Sequence, residues 1–512
     1  MGSLEGLKLR KSAGMKTIKL AAEKVMGLED EPLSPMALMF HKPDSNVYII
    51  AIFGCKCLID TGHLKANLAE FVLSHPRLYS LQVVDKERGG MKWVQTEVDL
   101  NKHVISPEID PTLVTTLPEK FVEDYLYNLG QTKIDMSKPL WDIHILNSVK
   151  TSTDTESVAI LRMHHSLGDG MSLMSLMLAL ARRTSDNTPL PTTKASADDK
   201  NLQISKTMVK GKSESFLSRQ LKAVRSGWWL VWNTLIDVLV FLATALFLKD
   251  TDNPLSAPAD VGDTPKRIVH RRVSLDDIKL ITKATKTTVN DVVMGVTEAG
   301  LSRYLNRRYG ERRSSNGDKQ LRVSEGRVNN LPTNIRLRAA VFFNVRLLAG
   351  FHGMENMKEK GSLARWGNQI GYVVYPLKAA IRSNPVEYVY SVKANMDRKK
   401  ASLESRFSYF LIKILVKLFG IKAVNLPRNT SVYFSNMIGP REEVSMFGYP
   451  ISYIATSCHG VPSGLVIHVI TYVDKLMFAL AVDEGVIPDP HQLCDDLEES
   501  LNIIKQTVVR TN

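Results

Sequence analysis

The stretch LRMHHSLGDG, residues 161–170, is the most informative part of the sequence. It contains two adjacent histidines, with an aspartate four residues after the second. The apolar residues 157–163 predict a buried strand that leads into the histidines. The run MSLMSLMLALA, residues 171–181, consists of good helix formers and predicts a helix. The motif therefore lies on a strand–loop–helix turn, where a rigid scaffold can hold a side chain in a cleft.

The chemistry of this turn points to proton transfer. A histidine there is a candidate general base, because its ordinary pKa of about 6.5 leaves it mostly neutral at cytosolic pH. Asp169 is close enough to orient the loop or an imidazole by hydrogen bonding. Gly168 and Gly170 permit positive φ angles and the close approach of a ligand to the backbone.

Two other interpretations of the turn are weaker. A polar turn with one satisfied core histidine explains a single histidine but hardly the whole string. A metal site would have only His164, His165 and Asp169 as ligands, and adjacent strand residues point to opposite faces. The pattern therefore favours acid/base chemistry.

HHSLGDG resembles the HHxxxDG signature of the wax ester synthase/diacylglycerol acyltransferase family, which belongs to the wider group of HxxxD acyltransferases built like chloramphenicol acetyltransferase. Other blocks of that family resemble further stretches of this chain, in the same order. These are EPLSPM (31–36), PLW (139–141), TVND (288–291), RWGN (365–368), SNMIGP (435–440) and the tail from 489 to 505. The tail resembles the plant branch in particular. The chain reads MIGP where many members read VPGP, so the expected shape of that loop is less certain.

The resemblance implies an α/β fold of two chloramphenicol-acetyltransferase-like domains joined by a linker and meeting at a tunnel. Acyl-CoA would enter one mouth and the acyl acceptor the other. His165 matches the family base, His164 would support it, and Asp169 would hold the loop. The implied reaction is direct acyl transfer, without a covalent intermediate, metal or other cofactor.

Further residues are candidates for substrate contacts. Gly170 is one candidate, because a ligand can approach its backbone closely. The side chains of Asn290, Ser435 and Asn436 are candidate hydrogen-bond donors to the oxyanion of the tetrahedral intermediate. Asn290 is also explained, slightly better, as the N-cap of a helix. The turn that Gly439 forms with the next proline is an equally good explanation of the 435–440 stretch.

Two other sets of residues have structural explanations that compete with substrate contact. The PLW stretch is more typical of core packing than of acyl contact. Arg336, Arg338 and Arg346 are candidates for contact with CoA phosphates, although a solvated face is the default for such residues.

Length and composition limit the class of protein. With 512 residues the chain should form at least two domains, and 44% hydrophobic and 23% charged residues are ordinary for a globular protein. The net charge of +13 favours polyanionic partners. The basic residues do not form a nucleic-acid motif, so the charge suits acyl-CoA and a lipid surface better. The four cysteines lack the spacing of a structural zinc site and are expected to be free thiols: Cys55, Cys57, Cys458 and Cys494.

Composition and periodicity divide the chain into four parts. These are a basic extension (1–30), an N-terminal domain (31–185), a linker (186–265) that contains an apolar segment, and a C-terminal domain (266–512). The extension has no apolar core, so it is not a secretory signal. Patterning predicts strands at 47–59, 91–98, 141–149 and 335–347, helices at 64–74 and 119–130, linkers at 184–215 and 249–266, and a loop at 321–330.

The apolar segment WWLVWNTLIDVLVFLATALFL, residues 228–248, is long enough to span a bilayer. Its twelve Leu, Ile, Val and Phe residues contribute about −5 kcal/mol to insertion, and the central Asp237 costs about +3 kcal/mol. Asn233, Asp237 and Thr244 fall on one helical face. If the flanking halves build one active site, they must share one side of the membrane. We therefore expect a monotopic, re-entrant or protein-packed helix rather than a true span.

Together these features predict an acyl-CoA-dependent O-acyltransferase that esterifies long-chain alcohols, diacylglycerol or both. The expected location is the cytosolic face of the endoplasmic reticulum membrane, with the plasma membrane as a second candidate. One alternative is a soluble HxxxD acyltransferase that acts on a small alcohol or amine. Another is a catalytically silent lipid-binding protein on the same fold.

Overall fold

The computed structural model describes residues 19–20, 31–42, 46–86, 90–190, 216–257, 264–315, 323–324, 327–346 and 366–511. Most of the predicted basic extension and of the first predicted linker lies outside these residues, as does Arg365 of the RWGN stretch.

The first large sheet consists of β2 (Tyr48–Cys55), β6 (Val104–Ile105), β7 (Trp141–Ser152), β8 (Thr155–His164), β9 (Arg182–Arg183), β16 (Val444–Met446) and β17 (Tyr449–His459). Its strand order is β6-β7-β8-β2-β17-β16-β9. The central strands are buried on both faces, so their sequences read as continuous apolar runs rather than as alternating patterns.

The second large sheet consists of β10 (Arg267–Ser274), β13 (Leu337–Asn344), β14 (Ile370–Leu377), β15 (Val432–Met437), β18 (Leu465–Tyr472) and β19 (Lys475–Val482). Its strand order is β10-β19-β18-β15-β13-β14. Strands β13, β15 and β18 run parallel, and the remaining pairings are antiparallel.

Three strand pairs lie outside these sheets: β1 (Lys19–Leu20) with β5 (Val98–Asp99), β3 (Ser80–Val84) with β4 (Met91–Gln95), and β11 (Val323–Ser324) with β12 (Arg327–Val328). The α-helices are α1 (Pro35–Met39), α2 (Thr61–Ser74), α3 (Pro111–Thr116), α4 (Pro118–Gly130), α5 (Gly170–Leu180), α6 (Phe216–Leu246), α7 (Leu275–Thr285), α8 (Val289–Ser315), α9 (Val386–Lys400), α10 (Glu404–Phe419) and α11 (Pro490–Thr511). Short 3₁₀ turns occupy Pro76–Tyr79, Leu100–Lys102, His165–Leu167 and Ile421–Ala423.

One strand joins the two halves of the chain. β17 belongs to the C-terminal half in sequence, yet it pairs with β2 along its length, from Ile451 opposite Cys55 to His459 opposite Tyr48. The boundary between the sheets is therefore not the predicted domain boundary at the linker. Because the first sheet needs strands from both sides of residues 186–265, the two halves form one structural unit.

The predicted elements around the motif are confirmed. The strand predicted to precede the histidines is β8, and the helix predicted to follow them is α5. The strands predicted at 47–59, 91–98, 141–149 and 335–347 correspond to β2, β4, β7 and β13. The helices predicted at 64–74 and 119–130 correspond to α2 and α4.

One expectation about irregular segments was wrong, because the predicted loop at 321–330 contains the β11–β12 pair. The predicted linker at 249–266 packs on the C-terminal half in its described part, where Asn253, Leu255 and Lys266 are buried. Its polar groups are satisfied by distant partners. Asp250, for example, accepts a hydrogen bond from Arg338 Nε at 2.6 Å.

The polar stripe of the apolar segment faces the protein. α6 contains the segment up to Leu246, and Asp237 on it is buried between Arg398 and Lys399, with N–O distances of 2.9 and 3.0 Å. Thr244 accepts a hydrogen bond from Arg338 Nη1 at 2.6 Å. Packing on the protein therefore accounts for the stripe, and Asp237 is neutralised by lysine and arginine rather than by water.

Candidate active site

The histidine motif lies where β8 ends and α5 begins. β8 ends at His164, and residues His165–Leu167 form a 3₁₀ turn. Asp169 caps α5, because its carboxylate accepts a hydrogen bond from the backbone N–H of Ser172 at 2.9 Å. This cap fixes where the helix starts and, with it, the course of the turn.

His165 is held by two hydrogen bonds to one side chain. Asn368 Nδ2 donates to the His165 carbonyl oxygen at 2.9 Å, and Asn368 Oδ1 lies 2.9 Å from His165 Nδ1. The first bond fixes the orientation of the amide, so an oxygen faces Nδ1 and Nδ1 must carry the ring proton. Nε2 is therefore the basic nitrogen of His165.

Burial keeps this imidazole neutral. The ring of Phe40 stacks on the ring of His165 with a centroid distance of 4.0 Å. Burial lowers the pKa of His165 below its ordinary value, and Asp169 and the bond to Asn368 only partly offset this effect. A neutral ring with a basic Nε2 is the form that a general base needs near neutral pH.

His164 has a different environment. Its Nε2 lies 2.9 Å from Asn46 Oδ1 and 3.1 Å from the Phe40 carbonyl oxygen, and its Nδ1 lies 2.6 Å from Ser166 Oγ. Both ring nitrogens are thus occupied inside the protein. His164 therefore holds the loop and does not line the main cavity, and its support of His165 stays a prediction.

Asp169 forms a buried ion pair. Arg346 Nη1 and Nη2 donate to the two carboxylate oxygens at 2.7 and 3.0 Å, and the N–H of Gln369 donates to the same carboxylate at 2.9 Å. The carboxylate therefore joins the loop to residues from the other half of the chain. This geometry supports the predicted loop-holding role for Asp169.

The expectation that Arg338 and Arg346 are solvated or bind CoA phosphates is wrong for both residues. Arg346 forms an ion pair with Asp169, and the buried Arg338 forms an ion pair with Asp250. Arg336 is exposed, and its guanidinium donates to the carbonyl oxygen of Lys249 at 3.2 Å. These contacts give no support to a phosphate site built from the three arginines.

The two motif glycines do not adopt the positive φ angles that glycine permits. Gly168 has φ 169° and ψ 167°, an extended conformation, and Gly170 is the first residue of α5. The close approach at Gly170 is real, because a Cβ there would lie 2.8 Å from Met437 Sδ. Gly367 is the glycine with an unusual conformation near the site, with φ +109°.

His165 lines an apolar cavity between the two sheets. The cavity holds about 1530 Å³ of empty space, including its open mouth. Its walls come from both halves of the chain and are mostly Met, Leu, Ile, Val and Phe side chains. Two of its lining residues, Asn344 and Asn425, are themselves exposed to solvent.

The structure brings most of the other predicted contact residues to this cavity. Gly170, Ser435 and Asn436 line it, and Asn290 does not. Asn290 Oδ1 instead accepts a hydrogen bond from Asn436 Nδ2 at 3.1 Å. Asn290 therefore positions Asn436, which keeps a second amide N–H for another acceptor.

The N-cap explanation of Asn290 is wrong. α8 begins at Val289, and the cap is Thr288, whose hydroxyl accepts from the N–H of Asp291 at 3.3 Å. The Asp291 carboxylate accepts from the N–H of Thr288 at 2.9 Å, which completes a reciprocal cap.

In the PLW stretch, Leu140 and Trp141 are buried in the core, as the packing interpretation expected.

Sequence reasoning missed three residues of the site. Asn368 belongs to the RWGN stretch, but no local pattern connects it to His165, 203 residues away. Phe40 follows α1 and gave no separate signal. His468 on β18 lines the cavity. Its pKa is lowered to about 4, mainly by burial and to a lesser extent by the nearby His165.

No cluster of three or more metal-ligating side chains is found among the residues that the structure describes.

Solved structures of the same architecture place this fold in a known class. A wax ester synthase/diacylglycerol acyltransferase from Marinobacter aquaeolei VT8 matches with a TM-score of 0.56 and 17% identity, over 93% of this chain and 99% of that chain. The first condensation domain of the calcium-dependent antibiotic synthetase matches with a TM-score of 0.53 and 12% identity, over 94% and 96%. The fold is therefore that of the two-domain, chloramphenicol-acetyltransferase-like proteins, as expected.

Sequence comparisons identify the family. The wax ester synthase/diacylglycerol acyltransferase catalytic domain matches residues 66–293, and the WS/DGAT C-terminal domain matches residues 366–505. Wax ester synthase/diacylglycerol acyltransferase 7 of Arabidopsis thaliana is 43% identical over 94% of this chain and 98% of its own length. Wax ester synthase/diacylglycerol acyltransferase 4 of the same plant is 42% identical over 94% of this chain and 91% of its own length. The chain belongs to the wax ester synthase/diacylglycerol acyltransferase family.

The Asn368 contact predicts a specific pH dependence. Because His165 must be neutral to accept a proton, kcat/KM should fall with decreasing pH only below pH 6.5, where the lowered pKa of His165 lies. Asn368→Asp puts a carboxylate beside Nδ1 and should raise that pKa, moving the acidic limb up by about 1 pH unit or more. Asn425→Asp, in the same cavity but away from His165, is the control. An unmoved limb in Asn368→Asp would refute the contact.

The ion pair predicts a loss of stability. Asp169→Asn leaves the buried guanidinium of Arg346 without its counter-charge and should destabilise the protein by about 3–5 kcal/mol, with reduced turnover. Adding Arg346→Met should restore part of the melting temperature. Thermal unfolding and turnover measure the two effects. If Asp169→Asn melts normally and yet loses all turnover, Asp169 acts directly in the reaction.

Proposed function

We propose that this chain is an acyl-CoA-dependent O-acyltransferase that esterifies long-chain alcohols, diacylglycerol or both. The observation that carries the proposal is the neutral His165, held with Nε2 as its basic nitrogen in a large apolar cavity between the two halves. The family of the chain supports the same reaction class.

The proposed reaction needs one proton acceptor and two substrates. His165 Nε2 takes the proton of the acceptor hydroxyl as its oxygen attacks the thioester carbonyl carbon. The C–S bond of the tetrahedral intermediate then breaks, and the imidazolium returns the proton to the departing CoA thiolate. His165 is neutral again when the ester and free CoA leave, so the step balances without a redox partner.

The cysteine in the cavity is a poor nucleophile, which supports direct transfer. Cys458 lines the cavity, but burial raises the pKa of its thiol to about 12. A buried thiol of that pKa carries almost no thiolate near neutral pH and cannot compete with a bound alcohol activated by His165. All four cysteines are free thiols.

The oxyanion of the intermediate requires a donor within the same cavity. Asn436 lines the cavity and has an amide N–H beyond the one that Asn290 binds. Ser435 precedes it on β15 and also lines the cavity. We propose that these two side chains stabilise the developing negative charge.

The cavity supports long-chain substrates. A small alcohol or amine would leave most of its apolar wall without contacts, whereas an acyl chain gains about 0.8 kcal/mol for each buried CH₂. The intact base and its support by Asn368 speak against a catalytically silent lipid-binding protein.

We also propose that the protein works on the cytosolic face of the endoplasmic reticulum membrane and that α6 lies on that membrane. Among the described helices, Gln220–Leu246 is long and apolar enough to cross a bilayer. The chain on either side of it contributes to one sheet, however, which supports attachment without spanning. Trp228, Trp229 and Trp232 are exposed on it, as expected at headgroup level.

The reaction is tested with purified protein, palmitoyl-CoA and either hexadecanol or diacylglycerol. Wild-type protein should form ester with at least one acceptor, and His165→Ala should lower turnover by about 10² or more while keeping its melting temperature. His63→Ala, an exposed histidine of α2, is the matched control and should retain activity.

Two results would contradict this proposal. Near-normal ester synthesis by folded His165→Ala would remove His165 as the base. A stable acyl-enzyme trapped from acyl-CoA alone would contradict direct transfer, which requires both substrates to be bound together.

A further inference from the structure

A second helix beside α6 presents an apolar face to solvent. On α10, Glu404, Ser408, Ile412 and Val416 are buried at intervals of four residues. On its opposite side Phe410, Ile414 and Leu418 are exposed at 56, 53 and 66%. α10 is therefore apolar on two faces, and the protein covers only one of them.

α6 and α10 are packed together by specific contacts. The rings of Phe241 and Phe407 meet edge to face at 5.9 Å, and the N–H of Leu403 donates to Thr234 Oγ at 3.1 Å. Lys399 Nζ bridges Asp237 of α6 and Glu404 of α10. The two helices thus present their exposed residues side by side.

Most of the large apolar side chains exposed in the described chain lie on these two helices or at their ends. We call them the α6/α10 apolar surface: Leu221, Val224, Trp228, Trp229, Val231, Trp232, Leu235, Ile236, Leu239, Leu246, Phe247, Leu403, Phe410, Ile414, Leu418 and Phe419. A soluble monomer rarely exposes such a large contiguous group, so this surface needs a partner.

The charges around this surface identify that partner. Within residues 220–249 and 404–428 the sequence has two carboxylates, Asp237 and Glu404, and both are buried against Lys399. The exposed charges of the same stretches are basic, including Arg225, Lys417 and Lys422. Apolar helices whose own exposed charges are basic complement an anionic phospholipid surface.

The cavity reaches the protein surface next to α10. Ile412 lines the cavity on the inner side of the helix, and Asn425, Leu426 and Pro427 line it just beyond the helix. Asn425 is exposed and lies six residues after the exposed Phe419. The other exposed lining residue, Asn344, is the last residue of β13, and its side chain accepts a hydrogen bond from Arg346.

We infer that α10 is a second membrane-contacting element, which with α6 docks on an anionic phospholipid bilayer so that the cavity end at 425–427 opens towards the lipid. An acyl acceptor dissolved in the bilayer then enters beside α10 without crossing water, and the Asn344 end is left for the water-soluble CoA thioester. The assignment of the two ends rests on the proposed esterification, whereas the docking of α10 does not.

The docking is tested by sedimentation of the full-length protein with vesicles of phosphatidylcholine, with or without phosphatidylserine. Ile414→Glu/Leu418→Glu should weaken binding at least tenfold, because it places two charges in the lipid-facing side of α10. Val509→Glu, an exposed position of α11, is the matched control and should bind as wild type. Lys417→Gln and Lys422→Gln should each remove about fivefold of the affinity for phosphatidylserine vesicles.

Activity measurements separate the two parts of the inference. With hexanol and hexanoyl-CoA in vesicle-free buffer, the α10 double variant should match wild type, since neither position lines the cavity. With diacylglycerol in vesicles it should lose at least tenfold. If the wild type transfers no acyl group in either assay, the proposed function fails, and the binding result still decides the docking of α10.

Two outcomes would overturn the docking of α10. One is wild-type vesicle binding by the double variant, with a normal melting temperature. The other is self-association of the wild type without vesicles that the double variant abolishes, which would assign the surface to a second copy of the chain.

Discussion

The site depends on a set of hydrogen bonds, which we call the clasp, between residues 366–369 and the loop at 165–169. Each residue from 366 to 369 makes a hydrogen bond to the loop that contains His165. Trp366 Nε1 donates to the Leu167 carbonyl, the Gly367 carbonyl accepts from the N–H of Asp169, Asn368 holds His165, and the N–H of Gln369 donates to Asp169. Arg346 reinforces the clasp from the same side, with bonds to Asp169 and to the Gly367 carbonyl. The tautomer of the base and the position of the loop follow from these contacts.

The shared strand makes the clasp possible. Because β17 carries the C-terminal half into the first sheet, residues on both sides of α6 are fixed relative to one another before any ligand binds. The same connection restricts how α6 can meet a membrane. The carboxylate of Asp237 on α6 is paired inside the protein, since Lys399 lies between Asp237 and Glu404, and burial raises the pKa of Glu404 to about 7. Polar groups face the protein and apolar groups face outwards.

Local sequence patterns predicted the elements around the site well. β8 and α5 are encoded by an apolar run and by a run of helix formers, and the histidine pair lies at the turn between them. Contacts across the fold could not be obtained in this way. Neither the pairing of β17 with β2 nor the bond between Asn368 and His165 leaves a periodic signal, because each joins residues hundreds of positions apart. The cap of α8 was misplaced by two residues for a related reason, since Thr288, Asn290 and Asp291 are all residue types that occupy helix starts. Composition predicted a linker at 249–266 but not its packing on the protein, because the partners of Asp250 lie far along the chain.

The central claim is that His165 is neutral, with its proton on Nδ1 and a basic Nε2. Nitrogen-15 NMR of the protein labelled in its histidine rings measures this directly, and the spectrum of His165→Gln identifies the resonances of His165. At pH 7 the contact with Asn368 predicts a protonated, pyrrole-type Nδ1 and an unprotonated, pyridine-type Nε2. A proton on Nε2 of the neutral ring, or an imidazolium with both nitrogens protonated, would contradict it.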